Sequence, residues 1–381
     1  MSKRDCSPLR LGIIGAGHIV KQVHLPLLSQ MPAINVEGLF DPDQERCREL
    51  KQHYGHLRIC QSLEELLDLH CDAVLVACPN YLHAPMSIAA LQAHAHVLCE
   101  KPMATTARDA LEMIQAAKQA NKNLMIAFTN RFRSEILALK QAITLDTLGE
   151  ITAIRCGWLR EQGVPGLGTW FTQKQYAGGG ALTDLGSHLI DLALYLSGYH
   201  QPQFAFAVLN TSVDLKDQAG WYAPQRDNNQ AITCNVEIGA SGLVAFAGSF
   251  NLFVDVSWSA SVPCDQTYIH IFGRRGSARL ETLFGFSPNG KRPQYPLRIW
   301  TNGQPEPTLI EGSVDPLQAY RAQWQFFIEG ILSGKPFANL LEDNLATVQI
   351  IEALYQSATQ QIAREAPPVD LSIEHWRPSR T

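Results

Sequence analysis

Three side chains in this sequence are placed for proton management. Asp184 and His188 stand four residues apart in the run GGGALTDLGSHLIDL at 178–192. A helix there sets both on one face, one turn apart. A histidine beside a carboxylate suits general base work near neutral pH, because the carboxylate fixes the tautomer and stabilises the imidazolium. The competing reading has Asp184 capping the helix and His188 packed in the core. The glycines at 178–180 would let the helix start lie close to a ligand. Lys101, in Glu100-Lys101-Pro102, follows a short apolar run that reads as a buried parallel strand. Ligands of open parallel sheets collect beyond the strands' carboxyl ends, so Lys101 is aimed where a substrate hydroxyl could be held and made more acidic. Otherwise it is a surface cation at a strand end. Pro102 biases Lys101 away from helical backbone and fixes the turn. No third ligand at metal-binding spacing accompanies Asp184 and His188, so no metal is expected.

A second constellation concerns phosphate. Gly15-Ala16-Gly17 matches the first two glycines of G-x-G-x-x-G, one permitting a tight turn and the next letting backbone approach a pyrophosphate at a helix N-terminus. The third position is Val20, a departure that bears on helix-to-strand packing and not on the phosphate contacts. Asp41 ends the next strand some two dozen residues on, where an acid accepts hydrogen bonds from both ribose hydroxyls and repels a 2′-phosphate. NAD is therefore expected in preference to NADP. Asp41 in Asp-Pro-Asp could also be a turn residue or cap. His18 and His24 flank the turn and read as structural or phosphate-neighbouring.

These residues need elements to hold them. Apolar runs at 9–14, 35–40, 57–59, 73–77, 97–99 and 124–128 alternate with helical segments, including 84–93 and 107–120, which implies parallel strands with helices on both faces. Beyond about residue 130 the pattern changes. One helical segment at 180–196 precedes strand formers at 204–209, 231–237, 243–252, 267–272, 278–281 and 297–300, separated by Gly, Asn, Asp and Pro clusters as in an antiparallel meander. Helices at 316–332 and 342–362 follow, and 214–230 reads as a loop. The expected fold class is α/β: a dinucleotide-binding domain over 1–129 and a second α/β domain with an open, mostly antiparallel sheet over 130–381.

Composition bounds the function. The 381 residues carry 31 Lys plus Arg against 36 Asp plus Glu, a net charge of -5, and are 46% hydrophobic. That is globular composition for two domains with a crevice between them. It lacks the basic footprint of a nucleic-acid binder. The polar start MSKRDCSPLR runs into an apolar stretch too short for a membrane span, and a soluble cytoplasmic protein is expected. Nine cysteines without a C-x-x-C pair read as free thiols of a reducing compartment.

Taken together, GIIGAGHIVKQVHLP at 12–26, ACPNYLHAPM at 77–86, CEKP at 99–102, the 178–192 run and DNLATVQIIEALYQSA at 343–358 resemble the Gfo/Idh/MocA family of oxidoreductases, in order over nearly the whole chain. The resemblance implies a Rossmann domain joined to an open-sheet α/β domain that forms homodimers or homotetramers through that sheet. It implies hydride transfer between nicotinamide and a ring hydroxyl or ketone of a sugar, sugar derivative or cyclitol. Lys101 and Asp184 would orient and polarise the reacting hydroxyl, with His188 as base in oxidation and acid in reduction. The cofactor set would comprise Gly15, Gly17, His18, Ile19, Asp41, Pro79, Asn80, His83, Glu100 and Lys101. Asn130 and Arg131 would floor the substrate cleft, with Trp158, Arg160, Trp170 and Tyr176 as further cleft residues, since aromatic faces with polar tips suit sugars. Two rivals are a non-catalytic NAD-binding regulator, which needs no proton-transfer pair, and an NAD-dependent glycoside hydrolase.

Overall fold

The structure is a computed structural model that describes residues 7–198, 201–212, 234–248, 250–286, 289–290, 293–312, 315, 317–334 and 337–360. The first sheet is built from β1 (Leu9–Ile14), β2 (Ile34–Phe40), β3 (Arg58–Ile59), β4 (Ala73–Val76), β5 (His96–Cys99) and β6 (Leu124–Ile126). Its order is β3-β2-β1-β4-β5-β6, and every pair is parallel. The central strands are mostly apolar because both faces are covered: β4 is buried at all four positions, and β1 at all but Arg10. Strand order reverses between β1 and β4, the topological switch point at which such sheets open a crevice. Ile14 pairs with Phe40 on one side and Val76 on the other, so three strand ends converge there.

The second sheet contains β7 (Ile151–Leu159), β8 (Pro202–Asn210), β9 (Gly239–Phe246), β10 (Asn251–Ser257), β11 (Gln266–Gly273), β12 (Gly276–Thr282), β13 (Leu297–Thr301) and β14 (Thr308–Ile310). Its order is β14-β13-β12-β11-β7-β10-β9-β8, antiparallel except between β7 and β10. The central β7 is absent from the sequence reading, although Ile154, Cys156 and Trp158 alternate inward with Arg155 outward. The run at 243–252, read as one strand, is two: β9 turns at Gly248, whose φ of 81° favours glycine, and returns as β10. The expected strand at 231–237 does not form over its described part, 234–237, and its remainder, like the loop at 214–230, lies outside the described residues.

One face of this sheet carries the helix Ser187–Ser197, whose Leu189, Ile190, Leu192, Ala193, Leu194 and Leu196 are all buried. On the other face, Phe204, Phe206 and Val208 recur at strand period along β8 and are 57%, 42% and 54% exposed. Phe253 and Phe272 extend the apolar surface, with the Arg155 guanidinium over both rings.

The chain's last helices return to the first domain. Gln318–Ser333 sends Trp324, Phe327 and Ile328 into the core beside β1, and Ala338–Thr359 shares Leu341 and Val348 with that domain while giving Ile350, Ile351 and Leu354 to the second. One long helix therefore joins both cores and holds the crevice walls in register. No helix among the described residues is long and apolar enough to cross a membrane.

Candidate active site

A cleft of about 510 Å³ runs from the carboxyl ends of β1, β2 and β4 to the inner face of β7. That volume lies in the range of pockets that enclose ligands. At one end is the glycine turn. Gly15 has φ of 106°, and a Cβ there would collide with the Ala77 carbonyl, so glycine is required for β1 to pass β4. Gly17 by contrast faces empty space, with no atom within 4 Å of where a Cβ would stand. Backbone without side chain beside open volume is what a pyrophosphate needs. Val20 is fully buried, and the coil over Val20–His24 is a π-helix, a wider turn found often at functional sites.

Asp41 lies at the cleft wall with its carboxylate already engaged: Oδ2 accepts from the Ala16 amide at 2.7 Å and Oδ1 from the Asp43 amide at 2.8 Å. It braces the glycine turn as well as facing the cleft, and each oxygen keeps a second lone pair for a ribose hydroxyl. The helix cap in this segment is Asp43, which accepts from the amides of Glu45 and Arg46. Of the residues assigned to the cofactor from sequence, His18, Ile19, Pro79, Asn80, His83, Glu100 and Lys101 also line the cleft. Several also serve structure. His83 sets its ring nitrogens against the carbonyls of Pro102 and Cys78, at 2.7 and 2.9 Å, tying the ends of β4 and β5 together. Asn80 donates to the Ala177 carbonyl at 2.8 Å, joining the domains. His24 is buried; its Nδ1 accepts from Trp324 Nε1 at 3.1 Å, so the proton sits on Nε2, which donates to Glu100 at 2.9 Å. The Glu-Lys-Pro turn is thereby anchored from behind.

The reacting end centres on Lys101 and Asp184. Lys101 Nζ donates to Asp184 Oδ1 at 2.6 Å and to the Asp184 carbonyl at 3.3 Å, across the domain boundary. The other carboxylate oxygen accepts from Trp258 Nε1 at 2.9 Å. Burial alone would raise the Asp184 carboxyl, but the Lys101 ammonium, the indole hydrogen bond and the nearby Arg160 outweigh it and hold it below its usual range. His188 lines the same cleft, packed edge-on against Phe128 at 5.9 Å and tilted against Trp158 at 5.7 Å. Burial, together with Lys101 and against Asp184, pushes its imidazole down to about 3, so the ring is neutral at physiological pH.

The carboxylate and imidazole are near neighbours but not hydrogen-bonded to each other. The Asp184 oxygens accept from Lys101 and Trp258, and His188 Nδ1 faces the Asn130 carboxamide nitrogen at 3.3 Å. The segment Leu182–Gly186 is a π-helix that becomes α-helical at Ser187, so the simple one-turn stacking expected of positions four apart does not apply. The glycines before it close on protein. A Cβ at Gly180 would collide with the Glu237 carbonyl, and one at Gly179 with the Tyr355 hydroxyl. Glu237 caps this helix start: its carboxylate accepts from the amides of Gly180 at 3.0 Å and Leu182 at 2.9 Å and from Tyr355 at 2.8 Å.

Trp158, Arg160 and Trp170 line the cleft as expected. Arg131 does not. Its guanidinium donates to both Asp191 oxygens at 2.8 and 2.6 Å, reaches Asp343 at 3.1 Å and lies over Tyr195, because a buried cation at the domain exit is held by carboxylates and not by solvent. Tyr176 stands outside the lining with its ring against Tyr81, and Asn130 lies behind His188 and not in the cleft. Sequence reasoning missed Trp258 and Glu237, which have no local motif, Tyr355, which lies in the 343–358 run but was given no role there, and the wall residues Phe171, Phe286 and Tyr320. No cluster of metal-ligating side chains occurs among the described residues.

Comparison with known proteins bears on this arrangement. Residues 9–128 match a family model described as oxidoreductase family, NAD-binding Rossmann fold, and residues 136–279 match the GFO/IDH/MocA C-terminal domain. The chain is 32% identical to a putative UDP-kanosamine synthase oxidoreductase subunit of Amycolatopsis mediterranei, over 77% of this chain and 81% of that one. It is 29% identical to the D-glucoside 3-dehydrogenase of Escherichia coli, over 94% and 97% of the two chains. Among solved structures, levoglucosan dehydrogenase in complex with NADH and levoglucosan superposes with a TM-score of 0.78 at 23% identity, over 92% and 97%, which establishes a shared fold.

Proposed function

The chain belongs to the Gfo/Idh/MocA family of NAD-dependent oxidoreductases, and on that premise we propose that it oxidises a ring hydroxyl of a sugar, glycoside or cyclitol, or reduces the matching ketone. The observation that carries the reading is the convergence of Lys101, Asp184 and His188 on one cleft with Gly15, Gly17 and Asp41. Bound NAD supplies the hydride acceptor, and NADH the donor. The turn at Gly15 and Gly17 is built to take the pyrophosphate and Asp41 the ribose, which favours NAD over NADP.

The protein's own part is positional and electrostatic. Lys101, fixed by Asp184, presents its ammonium to the substrate oxygen, where negative charge grows as the hydroxyl loses its proton. Trp258 keeps the Asp184 carboxylate ionised and in place. His188, uncharged before the reaction, takes the hydroxyl proton and returns it in the reverse direction. Trp158 and Trp170 offer aromatic faces to the CH-rich side of a sugar ring, and Arg160 hydrogen-bond donors to its hydroxyls. The names of the relatives support a glucoside, anhydrosugar or nucleotide sugar as substrate.

The exposed aromatic face of β8, β10 and β11 supports assembly as a homodimer or homotetramer through the second sheet. The described cysteines, none in a disulfide, suit the cytoplasm to which we assign the enzyme. The test is NADH formation by the purified protein with NAD and then NADP, across glucosides, anhydrosugars, nucleotide sugars, sugar phosphates and inositols. Turnover should appear with one group, and fall by a factor of about 100 to 10,000 in His188→Ala while NADH still binds. Turnover by that variant at the wild-type rate would refute the assignment.

A further inference from the structure

We propose that Asn130 sets the tautomer of His188, accepting the proton on Nδ1 so that Nε2 presents its lone pair to the cleft. The proposal rests on His188 being the base. Asn130 is 9% exposed and does not line the cleft, whereas His188 does. Its carboxamide nitrogen stands 3.3 Å from Nδ1, with the carboxamide oxygen on the other branch of the same group. Nδ1 is thus turned to protein, and Nε2 is the ring nitrogen left for substrate.

A neutral imidazole carries one proton. If that proton sat on Nε2, the nitrogen facing the substrate would be a donor and could abstract nothing. An acceptor at Nδ1 is therefore needed, and Asp184 does not serve: its oxygens accept from Lys101 and Trp258, and among the described residues no hydrogen bond joins it to the ring. The rings packed against it offer none: Phe128 accepts nothing in its plane, and the Trp158 indole nitrogen only donates. The side-chain amide set against Nδ1 is that of Asn130. A half turn about its last bond exchanges nitrogen for oxygen at nearly constant shape, which puts the oxygen opposite Nδ1–H. That hydrogen bond persists when Nε2 takes a proton, so no group need move during transfer. The charged groups facing the imidazole are Lys101, which disfavours the imidazolium, and Asp184, which favours it. A neutral amide adds orientation, and a hydrogen bond that modestly favours the imidazolium, without adding charge.

The test reads the tautomer directly. In cofactor-free protein labelled with ¹⁵N-histidine, the His188 signal is identified by its loss in His188→Ala. Wild type should show a protonated Nδ1 and a bare Nε2. Asn130→Leu should move the proton toward Nε2 and lower kcat about 10- to 100-fold, part of a general base's contribution, with NADH affinity unchanged. Asn130→Asp, which still accepts but adds charge, should keep the Nδ1 proton, retain most of kcat and shift the acid limb of the kcat profile to higher pH. A wild-type spectrum with the proton on Nε2, or an unaltered spectrum in Asn130→Leu, overturns the proposal. Should Asn130→Leu fail to fold, the wild-type spectrum and the aspartate variant decide. Full turnover by His188→Ala would instead remove the base assignment itself, and the spectra would still report what Asn130 does.

Discussion

Replacing His188 by glutamine should make the folded protein more tolerant of acid. In the native cleft, burial, with Lys101 alongside, pushes the imidazole from its ordinary 6.5 down to about 3. The unfolded chain takes up a proton near the ordinary value, and the folded chain does not until near the lowered one. Between them the unfolded state binds more protons, so stability falls as pH drops through this window and recovers as pH rises. Linkage over that interval gives about 2 kcal/mol of lost stability at pH 5 relative to pH 8. Water in the cleft trims this, leaving about 1 to 2 kcal/mol. Glutamine does not titrate and still offers a partner to Asn130. Unfolding midpoints of both proteins at pH 5 and pH 8 provide the measurement, and the loss on acidification should be smaller in the variant by that amount. His96, held at about 4 by burial, and the lowered His83 titrate in the same sense in both proteins and cancel in the comparison. Identical pH dependence in the two proteins would mean that His188 is not a desolvated neutral imidazole, and the account of the base would fall with it.

Three further outcomes follow from the geometry. Trp258→Phe removes the 2.9 Å donor to Asp184, a hydrogen bond to a charged group worth about 1.5 to 3 kcal/mol, so kcat should fall about tenfold with a raised acid limb; an unchanged pH profile would show that the indole does not matter to the carboxylate. Gly15→Ala should abolish soluble, NADH-binding protein, because the new methyl meets the Ala77 carbonyl at a φ of 106°, whereas Gly17→Ala should fold normally and only weaken NADH, as fluorescence titration would reveal. Phe206→Lys, on the open face of the second sheet, should dissociate the proposed oligomer in sedimentation analysis while NADH binding survives; the same sedimentation coefficient as wild type would count against assembly through this face.

Much of the first domain was legible because its signals are local. A strand buried on both faces must be apolar, as β4 is throughout and as β1 and β5 are apart from Arg10 and His96. The turn at Gly15 needs a conformation and a clearance that only glycine supplies, so the residue type marks the place. The helix Ala107–Ala120 reads at the bounds it adopts, with Thr106 as its cap. The second domain was harder. Its strands are half-exposed and bear Arg155, Asp255 and His270 on the open face, which weakens the apolar signal, so β7 was overlooked and β9 and β10 were merged across the Gly248 turn.

The glycine turn, the alternating sheet, and the candidacy of Lys101, Asp184 and His188 are thus readable along the chain, since each depends on residue type within one element. Only the tertiary structure decided how those three are wired. Spacing made Asp184 the natural partner of His188, yet the fold commits that carboxylate to Lys101 and Trp258 and gives the imidazole Asn130. Arg131, one position further along, was turned away from the cleft by Asp191 and Asp343. Each of these pairings joins residues separated by 58 or more positions. Hydrogen bonds of this kind depend on angles and distances between elements, which no periodicity along the chain records.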